Sequence, residues 1–386
     1  MERVWDGTHT PVLKSRSLPD LLASVLKAFA FEQDLTLIDA DLTEAEQAVL
    51  QSDPSRINRR TLIPSFSRPV DYNQLIELVQ QSKRAHLTLY SSGTTGQPKP
   101  VPHTLDTLAR EVKQSQKHQS DVWGLTYSPT HMAGIQVLLQ ASFNGNRIIN
   151  LRKLSREDIF SRIESERITH LSATPTFYRM LLPCDRVLNS VKRITFGGER
   201  FDPNLTPDIL QMFPNAKALN VYASTEVGSL FHSLDNRFVV EERMASQVRI
   251  ENQKLLIRKG LLGKIRHADE WYDTGDRVTV LSENPLAFTI DHRVKDIISV
   301  GGFKVNPHAV EDSLRACPGI RDARVFGERN SVVGTILRAE VERSSQDCTE
   351  SEIRAHLVTH LQSYKIPRII DFVEDLGRSR TGKAIR

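Results

Sequence analysis

The chain has 386 residues, 39% hydrophobic and 25% charged, with a formal net charge of +4. That leaves room for more than one domain around a large core, and the charge is too small to imply a nucleic-acid partner. Cys184, Cys317 and Cys348 have no metal-ligand spacing, and their odd number argues against a disulfide framework; without a signal-peptide core or a membrane-length apolar run, no membrane is expected and the location expected is cytoplasmic.

Residues 17–50 read as two amphipathic helices, the first capped within Ser17-Leu-Pro-Asp and the second by Asp41 or Thr43. Residues 51–70 are polar, punctuated by proline, and read as a loop. His86–Tyr90 alternates like a strand. Residues 90–101 then read Tyr-Ser-Ser-Gly-Thr-Thr-Gly-Gln-Pro-Lys-Pro-Val, and a helical pattern starts at about Thr104. Strand, glycine-rich loop and helix make the context of a phosphate loop. Gly93 and Gly96 let the backbone approach an anion. Ser91, Ser92, Thr94 and Thr95 can donate to phosphate oxygens, and Lys99 adds a mobile positive charge. The spacing is not that of the common phosphate loop, which needs Gly-Lys followed by Ser or Thr.

Strand candidates continue at Asp121–Tyr127, Arg147–Leu151, His170–Ala173, Arg193–Phe196 and Ala218–Val221, alternating with helices. The pattern predicts an α/β fold with mostly parallel strands. At Asp291–Lys295 the character changes to a charged cluster. A helix is expected from Pro307 to Ala316, strands at Ala323–Phe326 and Gly334–Val341, and a helix from Thr349 to about Ser363. This reads as a second domain of roughly a hundred residues.

Further motifs follow the loop in order: Tyr222-Ala-Ser-Thr-Glu226, Trp271-Tyr-Asp-Thr-Gly-Asp-Arg277, Arg293-Val-Lys-Asp continuing through Gly301-Gly302-Phe303 to Glu311, and Arg378-Ser-Arg-Thr-Gly-Lys383. Together with the loop they resemble the motif set of the adenylate-forming (AMP-binding) superfamily of acyl- and aryl-CoA ligases, luciferases and peptide-synthetase adenylation domains. Departures are Pro100 and Ala223, each standing where that family carries glycine. The resemblance implies a large N-terminal α/β domain with mostly parallel sheets over residues 1–292. It also implies a small mobile C-terminal α+β domain over 293–386, hinged near Lys295. Only 89 residues precede Tyr90, so a compact member with an abbreviated N-terminal subdomain is expected.

The activity implied is ATP-dependent conversion of a carboxylic acid to an acyl-adenylate with release of pyrophosphate, then transfer to a thiol. Coenzyme A is the expected acceptor and a carrier-protein phosphopantetheine the alternative. A catalytically inactive nucleotide- or adenylate-binding homologue is the alternative of another class. By the same resemblance Thr94 and Lys99 act on the phosphates, Glu226 ligates Mg2+, and Thr225 contacts the α-phosphate. Asp276 takes the ribose hydroxyls, Arg293 adds a donor, Tyr222 stacks on adenine and Asn220 meets its edge. Gly198 and Glu199 belong to a turn along the nucleotide, beside Ala223 and Ser224. Lys383 bridges the carboxylate and α-phosphate, Lys295 is the pivot, and Gly301 and Gly302 approach the site for thioester formation. His131 stands beside the acid pocket, with Met132, Gly134, Ile135, Phe143, Pro175 and Thr176 as further lining candidates. No Asp falls within 124–134, which disfavours an amino-acid substrate, and no basic cluster in these stretches demands a second carboxylate.

Overall fold

The computed structural model describes residues 12–40, 70–91, 99–182, 184–198, 201, 203, 205–265, 269–293, 298–343, 345, 348–374 and 376. The helix expected after Asp41 and the loop over 51–69 lie outside these residues. The described residues fall into two compact units, one ending before residue 295 and one following it.

The first unit opens on β1 (Val12–Leu13) and α1 (Leu18–Ala30). Ser17 caps α1 by accepting the Asp20 N–H, with proline in the first turn, and Leu21, Val25, Ala28 and Phe29 form its buried stripe. A four-stranded sheet orders β1, β2 (Leu35–Leu37), β3 (Leu87–Ser91) and β4 (Lys99–His103) side by side. Glu32, just past α1, accepts backbone N–H groups of Lys83, Arg84 and Ala85 at 2.8–2.9 Å and the Ser82 hydroxyl at 3.0 Å. One carboxylate thereby holds the lead-in to β3 and hence to Ser91. Between them, α2 (Tyr72–Gln80) starts on a capping box of Asp71 and Gln74.

The structure corrects the expected helix after the glycine-rich loop. The chain continues as β4, and only a single turn, α3 (Leu105–Leu108), follows Thr104, whose hydroxyl caps it. Pro100 and Pro102 explain the strand: neither can donate to a ladder, and β4 is the edge of its sheet.

The central sheet contains β5 (Val122–Leu125), β6 (Arg147–Asn150), β7 (His170–Ala173), β8 (Arg193–Phe196), β9 (Lys217–Ser224) and β10 (Gly228–Ser233). Their order is 10-9-8-7-5-6, parallel except at β10. Leu171, Ala173, Ile194 and Phe196 point to one face. There they join a core with Ile159, Phe160 and Ile163 of α5 (Arg156–Ser165), Tyr178 of α6 (Pro175–Met180) and Ile209 and Met212 of α7 (Leu205–Met212). The alternate residues, His170, Ser172, Arg193 and Thr195, face the other way, as the strand period of two requires. On that side lies α4 (Met132–Phe143).

An antiparallel sheet completes the first unit and was not among the expected strands. It orders β11 (Phe238–Val239), β15 (Leu286–Arg293), β14 (Trp271–Glu283), β13 (Lys254–Arg258) and β12 (Val248–Glu251). Its strands carry charged residues at their exposed positions, so their apolar signal is diluted.

In the second unit, β16 (Ile298–Val300) and β17 (Phe303–Val305) form a hairpin through Gly301 and Gly302, at φ +55° and +85°. Two consecutive left-handed residues are what a two-residue hairpin needs. Here α8 (Pro307–Arg315) and α9 (Glu350–His360), the latter with a Thr349–Glu352 capping box, accompany β18 (Ile320–Asn330), β19 (Gly334–Arg343) and β20 (Ile369–Val373). Val310, Leu314, Val325, Val341 and Leu357 are core residues there. No described helix is long and apolar enough to cross a membrane.

Candidate active site

Within the first unit a cavity of about 380 Å³ lies between the central sheet and α4. Its floor is built by register. Trp123, His170 and Arg193 are direct neighbours across β5, β7 and β8, and therefore share one face near the amino ends of those strands. Ser172 and Thr195 form the next row, and Gly197, Gly198, Val221 and Ala223 follow toward the carboxyl ends. Ala133, Gln136, Val137 and Gln140 supply the α4 wall, spaced as one helix face. Carboxyl ends of parallel strands are where α/β folds bind ligands.

At that end two expected nucleotide contacts meet. The Tyr222 hydroxyl donates to Asp276 Oδ2 at 2.6 Å, and Asp276 is only 4% exposed. Asp276 follows Gly275, at φ +77°, and its N–H donates to the Thr274 hydroxyl at 3.2 Å. Across the ladder it faces Arg293, whose backbone ends β15. Tyr222 itself packs at 28° on Phe231, with ring centroids 5.8 Å apart. Asn220, also buried, donates through Nδ2 to the Asp235 carbonyl at 3.3 Å.

Strand β9 runs through Ala223 and Ser224 into a turn at Thr225 and Glu226. The Gly263 N–H donates to the Glu226 carbonyl at 2.8 Å, and Lys264 donates to Pro102 of β4 at 2.7 Å. Gly263 must be glycine, because a Cβ there would stand 2.6 Å from both the His103 ring and Val101. Burial depresses the His103 pKa to about 4. The Glu226 carboxylate is half-buried, has no ion-pair partner among the described residues, and is an oxygen donor of the type Mg2+ takes.

Of the expected phosphate-loop residues, Ser91 is buried at the end of β3 and Lys99 is exposed at the start of β4. Ser92, Gly93, Thr94, Thr95 and Gly96 lie outside the described residues, as do Glu199, Lys295, Lys383 and the Arg293 side chain. Gly198 does line the cavity, at φ +79°. Among the other candidates His131, Met132, Gly134, Ile135, Phe143 and Pro175 do not. Met132 and Ile135 lie in the hydrophobic core, because α4 turns their face away from the cavity. A Cβ at Gly134 would collide with the Ser128 carbonyl, so that glycine serves close packing. Phe143 packs against the same core, Pro175 is buried at the start of α6, and the Thr176 side chain lies outside the described residues.

Several neighbouring side chains had no motif to announce them, Asp39 among them. His131 Nε2 stands 3.4 Å from Asp39 Oδ2, a partner ninety-two positions away. Asp121 Oδ2 is 2.8 Å from His118 Nδ1 and 3.5 Å from His170 Nε2, while His170 Nδ1 meets the Thr169 hydroxyl at 2.8 Å. Burial depresses the His170 pKa to about 4, opposed by Asp121 and helped by Arg193. Each of the three can offer a metal-ligand atom within 4.8 Å of the others. The Arg193 charge, next across the ladder, makes this a poor seat for a dication. A signal for this row was present: polar residues alternate through β7 and β8, where a parallel strand covered on both faces should be continuously apolar.

The family model for AMP-binding enzymes matches residues 20–251, and that for the AMP-binding enzyme C-terminal domain matches 309–383. A 2-succinylbenzoate–CoA ligase of Staphylococcus epidermidis is 28% identical over 327 residues, 77% of this chain and 68% of that protein. One from Staphylococcus aureus is 26% identical over 332 residues, 77% of this chain and 65% of that protein. The match thus spans about two thirds of these relatives. Among solved structures, an o-succinylbenzoate CoA synthetase double mutant from Bacillus subtilis, bound to a product analogue, superposes with a TM-score of 0.74 at 18% identity, covering 98% of this chain and 87% of that one. A malonyl-CoA ligase with methylmalonyl-CoA and AMP bound gives a TM-score of 0.73 at 18% identity, covering 96% and 91%. The fold is theirs, and, with both family models matched in order along the sequence, the chain belongs to the AMP-binding enzyme family.

Proposed function

We propose that the chain is an AMP-forming acid–thiol ligase that activates an acyl or aryl acid with ATP and passes it to coenzyme A. The observation that carries this reading is the continuity of the cavity with the Tyr222–Asp276 pair's strand: lining runs from Trp123 and Arg193 to Gly198 and Ala223, next to Tyr222. An acid lying along the sheet would present its carboxylate where ATP is held. Its oxygen attacks the α-phosphorus and pyrophosphate leaves; the thiol then attacks the acyl carbon and AMP leaves. Charge builds on phosphate oxygens in the first step, so the work asked of the protein is positioning and charge stabilisation.

In this reading Ser91, residues 92–96 and Lys99 hold the phosphates, and Lys383 bridges carboxylate and α-phosphate. Asp276 takes the ribose hydroxyls, with the Tyr222 hydroxyl orienting its carboxylate. Asn220 and Tyr222 serve adenine, with Arg293 nearby. Glu226 would hold Mg2+, which supplies charge neutralisation on the phosphates when bound. His131, 3.4 Å from Asp39, stands at the head of α4 and outside the cavity lining, so its place beside the acid rests on the resemblance alone. Residues 293–386 form the lid, hinged near Lys295, with Gly301 and Gly302 serving the thioester step. The relatives' printed substrate, 2-succinylbenzoate, and their acceptor, CoA, support an aryl acid and free CoA over a carrier protein; a cytoplasmic location fits that acceptor.

The test is pyrophosphate release with ATP and Mg2+ across aliphatic, aryl and amino acids, with and without CoA. Acid-dependent release followed by acyl-CoA formation is expected. ATP binding with no release from any acid would leave the chain a nucleotide-binding homologue.

A further inference from the structure

The acid cavity ends on a charge that no described residue pairs with. Arg193 opens β8 and lines the cavity, half-buried, about 13 Å along the strand from Gly197 at a rise of about 3.3 Å per residue. Among the described residues its guanidinium has no ion-pair or hydrogen-bond partner. The carboxylates close by are already engaged: Asp121 with His118 at 2.8 Å and Glu111 with Arg243 at 3.3 Å. A guanidinium stays charged at any physiological pH, so partial burial without a counter-ion costs free energy that an anion entering the cavity would return. Its neighbours suit an aryl body: Trp123, Leu219, Val221 and Phe231 from the strands and Val137 from α4 give the cavity apolar surface.

We infer that Arg193 is a specificity-determining residue that selects an acid carrying a second carboxylate, remote from the one that is activated. This rests on the function proposed above. It also reverses the expectation from sequence that no basic group calls for a second carboxylate, because Arg193 comes from a strand outside the stretches then weighed. The planar guanidinium matches a carboxylate with two parallel hydrogen bonds. His170, the next residue across the ladder, is held neutral by burial and so adds no competing charge. Trp123 stacks on His170 with centroids 4.7 Å apart, which backs the side of the row away from Arg193.

The test is calorimetric binding to the full chain of matched acids: 2-succinylbenzoate, its analogue 4-oxo-4-phenylbutanoate without the ring carboxylate, and further aryl diacid and monoacid pairs. The wild type should bind its preferred diacid about 10- to 100-fold tighter than the matched monoacid, the range of one charge-assisted contact. Arg193→Met should lose that preference while binding the monoacid as before, which also certifies its fold; Arg193→Lys should keep part of it. Equal wild-type affinities, a preference that survives Arg193→Met, or no binding of any diacid overturns the inference. Pyrophosphate release is read separately. Release without diacid preference sinks only the Arg193 role, and diacid binding without release sinks only the adenylation reading.

Discussion

The two ends of the cavity are built differently. At the carboxyl ends of the strands, Gly197 and Gly198, and Ala223 through Glu226, come in short contiguous runs, each carrying its own local geometry: left-handed glycine, strand end, turn. At the amino ends, Trp123, His170 and Arg193 arrive from three strands and are joined only by ladder register. The first end is dictated by neighbours in sequence, and such geometry survives as a motif. The second is dictated by which strands pair and in what register, and leaves only a faint trace: polar residues where the pattern should be apolar.

The largest effect expected would break the motif-built end. Lys383→Ala should lower adenylate formation by about 10³-fold, the scale of losing a charge-stabilising donor, while thioester formation from supplied acyl-adenylate persists. Equal loss of both half-reactions, measured by pyrophosphate release and acyl-CoA formation, would remove its assigned role.

Acid should strike both ends, through His170 on the register-built floor and His103 beside the Glu226 turn. His170 and His103 are depressed to about 4 by burial, against about 6.5 unfolded, so between those values the unfolded chain binds more protons. Their contribution is complete above about pH 6.5 and is lost as the pH falls toward 4, about 3 kcal/mol for each. Urea titrations at pH 7 and pH 4.5 should show the loss, and His170→Gln should show a smaller difference between the two. An identical difference in the variant would mean that His170 is not buried neutral.

A smaller effect sharpens the nucleotide side. Asp276→Ala should weaken ATP binding about 30-fold, the cost of hydrogen bonds to a charged group, with little change in acid affinity. Unchanged ATP affinity by calorimetry would count against the ribose contact. Smallest, Tyr222→Phe removes the 2.6 Å hydrogen bond to Asp276 and keeps the ring. It should cost about 1 kcal/mol of stability, with a rise of a few-fold in the KM for ATP and a smaller effect on kcat. A kcat loss without a KM change would indicate that the hydroxyl serves chemistry instead of orientation.

Strands β7 and β8 were legible to the residue, because each alternates polar and apolar side chains over four positions between helical segments. Helix α9 was legible through Thr349 and Glu352, whose capping box is a local device. The antiparallel sheet that carries Asp276 was not, since its long strands alternate charged and apolar residues over a half-exposed surface. A helical pattern was expected from about Thr104, and a single capped turn does start there; the extended edge just before it, set by Pro100 and Pro102, was not expected. On α4 the lining candidates were placed by resemblance near His131, and the helix period turned Met132 and Ile135 to the core while Ala133 and Gln136 met the cavity.

By itself the sequence determined the family and the α/β class, because the motifs and elements that carry them are contiguous residues whose φ, charge and hydrogen bonding are local properties. Only the tertiary structure decided that Tyr222 meets Asp276 across fifty-four positions, that Asp39 meets His131, and that Arg193 joins Trp123 and His170 on one cavity floor. Those contacts rest on strand order and register, which a chain settles by burying its apolar faces all at once, and no single segment encodes them.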